Sequence, residues 1–404
     1  MQNKTVTCRL LAVGNELLLG EVVDTNTAFM ARALTEIGVT VAAKETLPDT
    51  LSVIVKSLKG AREDIVILCG GLGPTSDDLT RNALAKAFGA KLKLDNRQFD
   101  RMVAFFSSLH RPMAACNRVQ ALIPDGFRAV DNPNGTAPAL FRERPFLFAL
   151  PGVPRELEAL MKISVVPEIR RAFRLPELPI EEIKTSGIGE SVLFETIKDI
   201  KIPRGVTFAS LPELGGVVLR LWGQDRRTVK ALAKRMAQRV REYVYGNRGD
   251  SLESVLLAGF VRKKQTLALA ESCTGGLVSS RLTAIPGSSR CFLGGVVAYG
   301  NALKMKLLGV RARTLKTHGA VSAECAREMA EGARARTGAD VAAAVTGIAG
   351  PEGGTTEKPV GTVFIACASR RGTAVKRLSL WGNRKAVQER SANLLLDFVR
   401  KKAF

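Results

Sequence analysis

The sequence predicts a multidomain α/β protein, on the grounds of its length and of a repeated alternation between strand and helix patterns. The chain has 404 residues, which is too long for one ordinary hydrophobic core. Short apolar runs such as 65–69 and 341–345 alternate with amphipathic segments such as 79–88 and 325–337. This alternation is typical of parallel sheets that are covered by helices.

The elements divide the chain into three predicted domains, 1–170, 171–249 and 250–404, with a boundary at the proline-bearing stretch Arg174–Pro179. In the first domain we predict strands at 5–13, 64–69 and 145–150 and helices at 27–37, 79–88 and 155–162. In the second, a small α+β connector, we predict helices at 191–199 and 226–244 and a strand at 216–222. In the third we predict strands at 265–270, 294–298, 341–345 and 361–366 and helices at 277–282, 325–337 and 385–401.

Composition restricts where the protein works. No apolar run approaches the roughly 20 residues that span a bilayer, so we expect no membrane association. Met1–Lys4 leads directly into a strand-like stretch, which leaves no room for a signal peptide. We therefore expect a cytoplasmic protein.

Cysteine and histidine usage excludes several kinds of chemistry. The seven cysteines are scattered and form no Cys-x-x-Cys pair, which argues against a disulfide framework or a zinc site. His110 and His318 are the only histidines, so the sequence offers few residues from which a Ser-His-Asp triad could be built. Any hydrolytic site must use another base.

The net charge of +22 lies mostly in the predicted third domain. A basic surface attracts nucleic acid, but it also steers small phosphorylated substrates, and it can serve solubility alone. We expect nucleotide substrates, with nucleic-acid binding as the less favoured alternative.

The most informative stretch is Glu271-Ser272-Cys273-Thr274-Gly275-Gly276, between an apolar strand and a helix. Glycines let the backbone approach an anion, and free N–H groups at the helix start point toward it. Thr274, Gly275 and Gly276 are therefore candidate phosphate ligands, although a tight turn with capping hydroxyls gives the same pattern.

Four further motifs follow in order: Pro286-Gly287-Ser288-Ser289, the stretch from Tyr299 to Lys304, Thr346-Gly347, and Trp381-Gly382-Asn383-Arg384. From about residue 252 onward the chain resembles the C-terminal domain of the CinA family and the stand-alone nicotinamide mononucleotide deamidases. The resemblance implies an α/β amidohydrolase domain that converts nicotinamide mononucleotide to nicotinate mononucleotide and ammonia, without a cofactor.

Carboxamide hydrolysis without histidine or zinc needs a hydroxyl nucleophile and an unusual base. The resemblance implies Ser289 as nucleophile and Lys304 as base, with Ser272 as the alternative nucleophile. We expect Asn301 to cap a helix and to place Lys304 in its first turn, where the helix dipole and burial disfavour the ammonium form. The resemblance also implies that Tyr299 relays a proton or orients the base, and that Arg384 binds the oxyanion or the phosphate. It implies a nucleotide pocket formed by Ser272, Thr274, Gly275, Gly276, Thr346 and Gly347. Cys273 lacks a histidine to activate it, so we expect a buried spectator thiol.

A second candidate site begins at Gly70-Gly71-Leu72-Gly73-Pro74-Thr75-Ser76-Asp77-Asp78, which follows a strand and opens a helix. Carboxylates beside a phosphate cradle suit a divalent ion such as Mg²⁺, Mn²⁺ or Co²⁺. The candidate metal ligands are Asp78, Asp77, Asp24 and Glu16, and the candidate substrate ligands are Gly71, Gly73, Thr75 and Asn134. The alternative is that an aspartate merely caps the helix.

Together with Asn132–Ala137 and Leu150–Pro154, this segment resembles the molybdopterin-binding fold and the N-terminal half of CinA proteins. That resemblance implies a metal-dependent ADP-ribose pyrophosphatase, and we expect a homodimer. The middle segment resembles a KH-like connector, but Gly187-Ile188-Gly189 lacks the Gly-x-x-Gly form, so we expect a spacer. The competing function is a competence-related nucleotide- or DNA-binding protein with non-catalytic pockets.

Overall fold

The computed structural model describes residues 5–176 and 178–404. The chain divides into two compact units, 1–178 and 179–404, and the predicted third domain belongs to the second unit together with residues 179–249 of the predicted connector. Two expectations fall partly outside the described residues: the start at Met1–Lys4, and the boundary stretch at Glu177.

The first unit alternates strands and helices, as its sequence predicts. Its strands are β1 (Thr7–Val13), β2 (Thr40–Leu47), β3 (Ile65–Cys69), β4 (Leu92–Leu94), β5 (Leu122–Pro124), β6 (Arg128–Val130), β7 (Ala139–Arg142) and β8 (Phe146–Leu150). Its helices are α1 (Asn15–Leu18), α2 (Thr25–Thr35), α3 (Leu51–Gly60), α4 (Thr80–Phe88), α5 (Asn96–Ser108), α6 (Pro154–Leu160) and α7 (Val166–Phe173), with a 3₁₀ segment at Ala115–Ala121 and a π-helical turn at Met161–Val165.

The main sheet of this unit has the strand order β2-β1-β3-β8-β7-β6. The first four strands are parallel, and every residue of β3 and β8 is buried. Hydrophobic clusters lie on both faces, which confirms the predicted covered parallel sheet. The antiparallel strands β6 and β7 have three and four residues, too short to leave a periodic signal in the sequence.

The segment from residue 180 to residue 247 forms an antiparallel sheet with the order β10-β11-β9-β12. Its elements are β9 (Ile180–Thr185), α8 (Glu190–Ile197), β10 (Val206–Glu213), β11 (Gly216–Gly223), α9 (Arg226–Arg239) and β12 (Val244–Asn247). The basic helix α9 packs through Val229, Leu232 and Met236. It ends at Arg239, five residues before the predicted end, because Val244 begins a strand that pairs with β9.

The remaining residues form a sheet with the order β14-β13-β15-β16-β17. Its strands are β13 (Leu267–Glu271), β14 (Phe292–Val297), β15 (Val341–Gly347), β16 (Thr362–Ser369) and β17 (Gly372–Ser379). The helices are α10 (Leu252–Lys263), α11 (Leu277–Thr283), α12 (Asn301–Leu308), α13 (Ala312–His318), α14 (Ala323–Thr337) and α15 (Arg384–Ala403), with a 3₁₀ turn at Ser288–Arg290.

Alternating side chains of β13 serve two cores in this sheet. Leu267 and Leu269 join the cluster with α10, α11 and α15, whereas Ala268 and Ala270 face α14. Strands β14, β13 and β15 are parallel, so their carboxyl ends meet at one edge of the sheet. No described helix is long and apolar enough to cross a membrane.

Candidate active site

A cavity of about 250 Å³ opens at the carboxyl ends of β13, β14 and β15. This is the edge at which α/β sheets commonly bind ligands. Six of the predicted site residues line it: Ser272, Tyr299, Lys304, Thr346, Gly347 and Arg384. Residues that are separated by more than 100 positions in the sequence therefore share one cavity.

Lys304 is the most unusual side chain of this cavity. It is only 1% exposed, although lysine is almost never buried without a partner. Its Nζ donates hydrogen bonds to the carbonyl oxygens of Ala298 at 2.9 Å and Tyr299 at 2.8 Å. Among residues 5–176 and 178–404, no carboxylate forms an ion pair with it. The amine is thus held by neutral groups alone.

This environment makes the Lys304 amine easier to deprotonate than the amine of a free lysine. Burial lowers the pKa of Lys304, and the nearby thiols of Cys325 and Cys273 oppose this effect only in part. A neutral amine has two hydrogens, which match the two carbonyl acceptors, and one lone pair. The lone pair is then free to accept a proton, as a general base requires.

Helix α12 begins differently from the prediction. Gly300 is the N-cap residue, and its backbone carbonyl accepts from the Lys304 N–H at 3.2 Å. Asn301 is the first helical residue rather than the cap. Lys304 nevertheless lies in the first turn, as the sequence predicts, because the helix begins directly after the short loop that follows β14.

Ser272 supplies a hydroxyl to the same cavity. It follows the last residue of β13, and its backbone N–H donates to Val345 of β15 at 3.0 Å. The side chain is largely buried, at 7% exposure. Its Oγ has no hydrogen-bond partner within the described ranges 5–176 and 178–404, so it is available to a substrate.

The predicted phosphate cradle at the start of α11 already holds a carboxylate. Glu271 is fully buried and accepts five hydrogen bonds, from Thr274 Oγ1, the backbone N–H groups of Gly276, Val278 and Ser279, and Ser279 Oγ. Contact of Thr274, Gly275 and Gly276 with a phosphate stays a prediction. They surround Glu271 and do not line the cavity, because a buried carboxylate satisfies the helix N-terminus that an anion would otherwise occupy.

Ser289 lies away from Lys304 in the same chain, contrary to its expected pairing. It is exposed in the 3₁₀ turn that precedes β14, whereas Lys304 follows the carboxyl end of that strand. The six residues of β14 span roughly 20 Å at about 3.3 Å per residue. A hydroxyl at one end of the strand cannot reach an amine at the other.

Tyr299 and Arg384 form the mouth of the cavity. The Arg384 guanidinium donates to the Tyr299 hydroxyl at 2.8 Å and to the Gly350 carbonyl at 2.8 Å. Arg384 is the first residue of α15, and Asn383 caps that helix by accepting from the Ala386 N–H at 2.9 Å. The remaining N–H groups of the guanidinium can donate hydrogen bonds to an anionic group of a ligand.

Two residues at or near this cavity, Glu352 and Gln388, were not predicted from the sequence, whereas the burial of Cys273 was. Glu352 also lines the cavity, and Gln388 donates to the Cys273 carbonyl at 2.8 Å, which ties the loop after β13 to α15. Neither residue belongs to a motif, so the sequence carries no signal for them. Cys273 is buried, and burial raises its pKa to about 12, so the thiol stays protonated at neutral pH.

The first unit has a larger cavity of about 440 Å³ at the carboxyl ends of its parallel strands. Six predicted residues line it: Glu16, Asp24, Gly71, Gly73, Asp77 and Asp78. Thr75 and Asn134 do not. Asn134 instead donates its side-chain amide to the Arg155 carbonyl at 3.1 Å, so it holds two loops together.

Two carboxylates of this cavity accept hydrogen bonds from backbone N–H groups near them. Asp78 accepts from the N–H of Gly73 at 2.8 Å and from the N–H and hydroxyl of Thr75 at 2.8 and 2.5 Å. Asp24 caps α2 by accepting from the Thr27 N–H at 2.9 Å. Within the described part of the chain, no three acidic, cysteine or histidine side chains cluster as a metal site needs. Asp78 and Asp24 thus hold the loop and the helix start, and the divalent ion at this cavity stays a prediction.

Two further residues of this unit, Glu156 and Arg81, have roles that the sequence does not predict. Glu156 lines the cavity, and its half-buried carboxylate, whose pKa is raised by burial, accepts from Asn132 Nδ2 at 2.6 Å. Arg81 is buried and donates to the Leu72 carbonyl at 2.6 Å, which fixes the glycine-rich loop. The sequence pattern does not show that an arginine is buried.

Comparisons with known proteins agree with this division of the chain. Three family models match: "Probable molybdopterin binding domain" at residues 9–171, "Damage-inducible protein CinA KH domain" at 181–247 and "CinA C-terminal domain" at 249–403. A CinA-like protein of Dictyoglomus thermophilum is 39% identical over 98% of both chains. The chain belongs to the CinA family. A CinA-like protein of Chlorobaculum tepidum is 41% identical over 89% of each chain.

Among solved structures, a competence/damage inducible protein from Agrobacterium tumefaciens is 39% identical to this CinA chain. It covers 38% of this chain and 94% of its own, with a TM-score of 0.37. The expected CinA fold, with its molybdopterin-binding-like domain, KH connector and C-terminal α/β domain, is thus confirmed. These relatives are named for competence or damage induction rather than for a reaction.

Proposed function

We propose that this CinA protein hydrolyses the carboxamide of nicotinamide mononucleotide, giving nicotinate mononucleotide and ammonia, at the cavity that Lys304 and Ser272 share. The observation that carries the proposal is the buried Lys304 amine, whose two hydrogens are taken by carbonyl oxygens. Such an amine can act as a general base, and the Ser272 hydroxyl in the same cavity can act as a nucleophile. In this proposal the nucleophile is Ser272 of the same chain, whereas the family resemblance favours Ser289 as nucleophile.

The reaction has two steps. Ser272 Oγ attacks the carboxamide carbon while its proton passes to Lys304 Nζ. The carbon–nitrogen bond then breaks, and ammonia leaves with the proton from Lys304. In the second step Lys304 accepts a proton from water, whose oxygen attacks the acyl-serine ester. The ester bond breaks, Lys304 gives the proton to Ser272 Oγ, and nicotinate mononucleotide is released. No redox partner is needed, and atoms balance as amide plus water giving acid plus ammonia.

Arg384 supports a phosphorylated substrate. Its guanidinium lies at the cavity mouth with donors to spare beyond Tyr299 and Gly350, and guanidinium groups bind phosphate through paired hydrogen bonds. In this proposal Arg384 holds the 5′-phosphate while the pyridine carboxamide extends inward to Ser272 and Lys304. The high positive charge of the surrounding domain helps to attract the anion.

Ammonia release from nicotinamide mononucleotide by the full-length protein tests the proposal. Lys304→Ala and Ser272→Ala should each lower kcat by about a thousandfold or more, and the double variant should lose little further, because the two groups act as a unit. Lys306→Ala and Ser280→Ala are matched controls, since both side chains are exposed on neighbouring helical positions. No ammonia from the wild-type chain would disprove the function.

The competing function, nucleic-acid binding with an inert pocket, predicts a different salt response. Affinity for a polyanion falls steeply with salt because counterions are released, whereas hydrolysis in an enclosed cavity falls much less. Ammonia release that persists at salt concentrations which abolish DNA binding would separate the two functions.

We propose nucleotide binding for the cavity of the first unit, which is large enough for a nucleotide and lies at the ligand-binding edge of its sheet. Metal-dependent ADP-ribose hydrolysis there remains a prediction. Its test is release of AMP from ADP-ribose with Mg²⁺, Mn²⁺ or Co²⁺.

A further inference from the structure

A further cavity of the second unit, of about 410 Å³, lies between the antiparallel sheet of residues 180–247 and the helices α10, α11 and α15. Hydrogen bonds join its two sides: Lys184 Nζ donates to the Asp250 carbonyl at 2.7 Å, and Asn393 of α15 donates its side-chain amide to the Leu214 carbonyl. The cavity shares no lining residue with the Lys304 cavity, and its volume is typical of small-molecule sites. It is therefore a separate candidate site.

The charged groups of this cavity are mostly acidic. Four carboxylates and two cationic groups line it: Glu213, Asp250, Glu253, Glu389, Lys184 and Arg281. The formal charge of the lining is thus −2, in a chain whose net charge is +22. Arg281 pairs with Glu253 and, at 3.3 Å, with Glu389, whereas no cation among residues 5–176 and 178–404 pairs with Glu213. The local field therefore favours a positively charged ligand.

Ser186 provides an independent indication of a ligand. It is only 1% exposed, and its Oγ has no hydrogen-bond partner among the described residues. Ile183 of β9 packs in the core of the antiparallel sheet, so Lys184 and Ser186 lie on the opposite face, toward the cavity that both line. A buried hydroxyl without a partner costs free energy, and a hydrogen bond from a ligand would remove that cost.

Tyr245 of β12 adds an aromatic ring to the same cavity. Burial raises the pKa of its hydroxyl to about 12, and the carboxylates of Glu213, Glu253 and Asp250 act in the same direction. The phenol therefore stays neutral at physiological pH and lies close to negative charge. An aromatic ring beside carboxylates is an environment that binds alkylammonium groups.

The carboxylates come from separate elements of the unit. Glu213 ends β10, Glu253 lies in the first turn of α10, and Glu389 lies on α15. Within the described part of the chain, no three acidic, cysteine or histidine side chains cluster as a metal site needs. Two positive charges that are separated along one organic ligand match this distribution better than a single metal ion does.

We propose that this cavity binds a small aliphatic diamine, with one ammonium group held by Glu213 and the Ser186 hydroxyl. The site does not rest on the proposed carboxamide hydrolysis. Its ligand would lie against α15, which also carries Arg384 and, through Gln388, holds the Cys273 carbonyl. The diamine thus joins the antiparallel sheet to a helix of the proposed active site.

Calorimetric titration of the full-length protein with putrescine (1,4-diaminobutane) tests the site. One molecule per chain should bind, and 1-aminobutane, which has a single charge, should bind about tenfold more weakly or worse. Glu213→Gln should weaken putrescine binding about tenfold or more, because it removes a charge that no described cation neutralises. Glu242→Gln is the matched control: this exposed carboxylate precedes β12 and does not line the cavity, so the Kd should not change.

Ser186→Ala distinguishes a ligand contact from a structural one. The variant removes a hydroxyl without a partner, so the midpoint of thermal unfolding of the ligand-free protein should stay equal or rise. Its affinity for putrescine should nevertheless fall about tenfold. In wild type, putrescine at about a hundred times its Kd should raise the midpoint by roughly 5–10 °C.

Several outcomes would overturn the proposal. They are an absence of binding heat with putrescine, equal affinities of wild type and Glu213→Gln, and a Ser186→Ala variant that is less stable but binds putrescine as tightly as wild type. Equal weakening by Glu242→Gln would show general attraction to surface carboxylates and would overturn it too. None of these measurements uses ammonia release, so failure of the proposed hydrolysis would leave them unaffected.

Discussion

Glu271→Gln should destabilise the second unit strongly, because the carboxylate of Glu271 organises the loop that carries Ser272. Its Oε1 accepts from the N–H and hydroxyl of Ser279 at 2.8 and 2.6 Å, and its Oε2 accepts three more bonds. Glutamine keeps one oxygen and points an NH₂ group at donors. The Ser279 hydroxyl can turn to accept, but its N–H cannot.

The magnitude follows from these contacts. One buried N–H without an acceptor costs about 1–3 kcal/mol, and three bonds that change from charged to neutral acceptors lose roughly 1 kcal/mol each. We expect a loss of about 4–6 kcal/mol in the free energy of unfolding. Exposed Glu324→Gln, which changes the same group elsewhere, should stay within about 0.5 kcal/mol.

Urea unfolding followed by tryptophan fluorescence measures this loss. Trp222 and Trp381 are the only tryptophans of the chain, and both belong to the unit 179–404, so the signal reports that unit alone. A loss below about 1 kcal/mol would refute the structural role of Glu271. Ammonia release that falls while the unit stays equally stable would instead make Glu271 a participant in proton transfer.

Further substitutions test the other contacts. Arg384→Ala should raise KM for nicotinamide mononucleotide about tenfold or more with a smaller effect on kcat, since it removes a phosphate contact; an unchanged KM would place the phosphate elsewhere. Tyr299→Phe should lower kcat less than Lys304→Ala does, because Lys304 contacts the Tyr299 carbonyl rather than its ring; equal losses would indicate a proton relay through the phenol. Asp78→Asn should destabilise the first unit by about 1–2 kcal/mol through its loop contacts, measured by thermal unfolding, and leave ammonia release unchanged; lost deamidation would reveal coupling between the units.

Local patterns in the sequence predict most of the fold but only part of the site. Periodicity locates the parallel strands, and motif order identifies the CinA domains. The turn before α11 does not reveal the role of Glu271, because a glycine turn at a helix start looks the same in the sequence whether a ligand or a protein carboxylate satisfies it. Ser289 was paired with Lys304 on the family resemblance, although the strand predicted at 294–298 lies between them; within one chain the two residues lie at opposite ends of β14.

The dependence of ammonia release on pH, in wild type and in Lys304→Arg, tests the central claim most directly. A free lysine ionises near ~10.4, and burial lowers the pKa of Lys304. Because the neutral amine is the active form, kcat should rise with pH through one ionisation that lies below the free-lysine value. Arginine keeps the charge but does not deprotonate. Lys304→Arg should therefore lose this rise of kcat with pH, together with nearly all turnover. A Lys304→Arg enzyme with near-normal kcat and an unchanged pH profile would show that Lys304 is not the base.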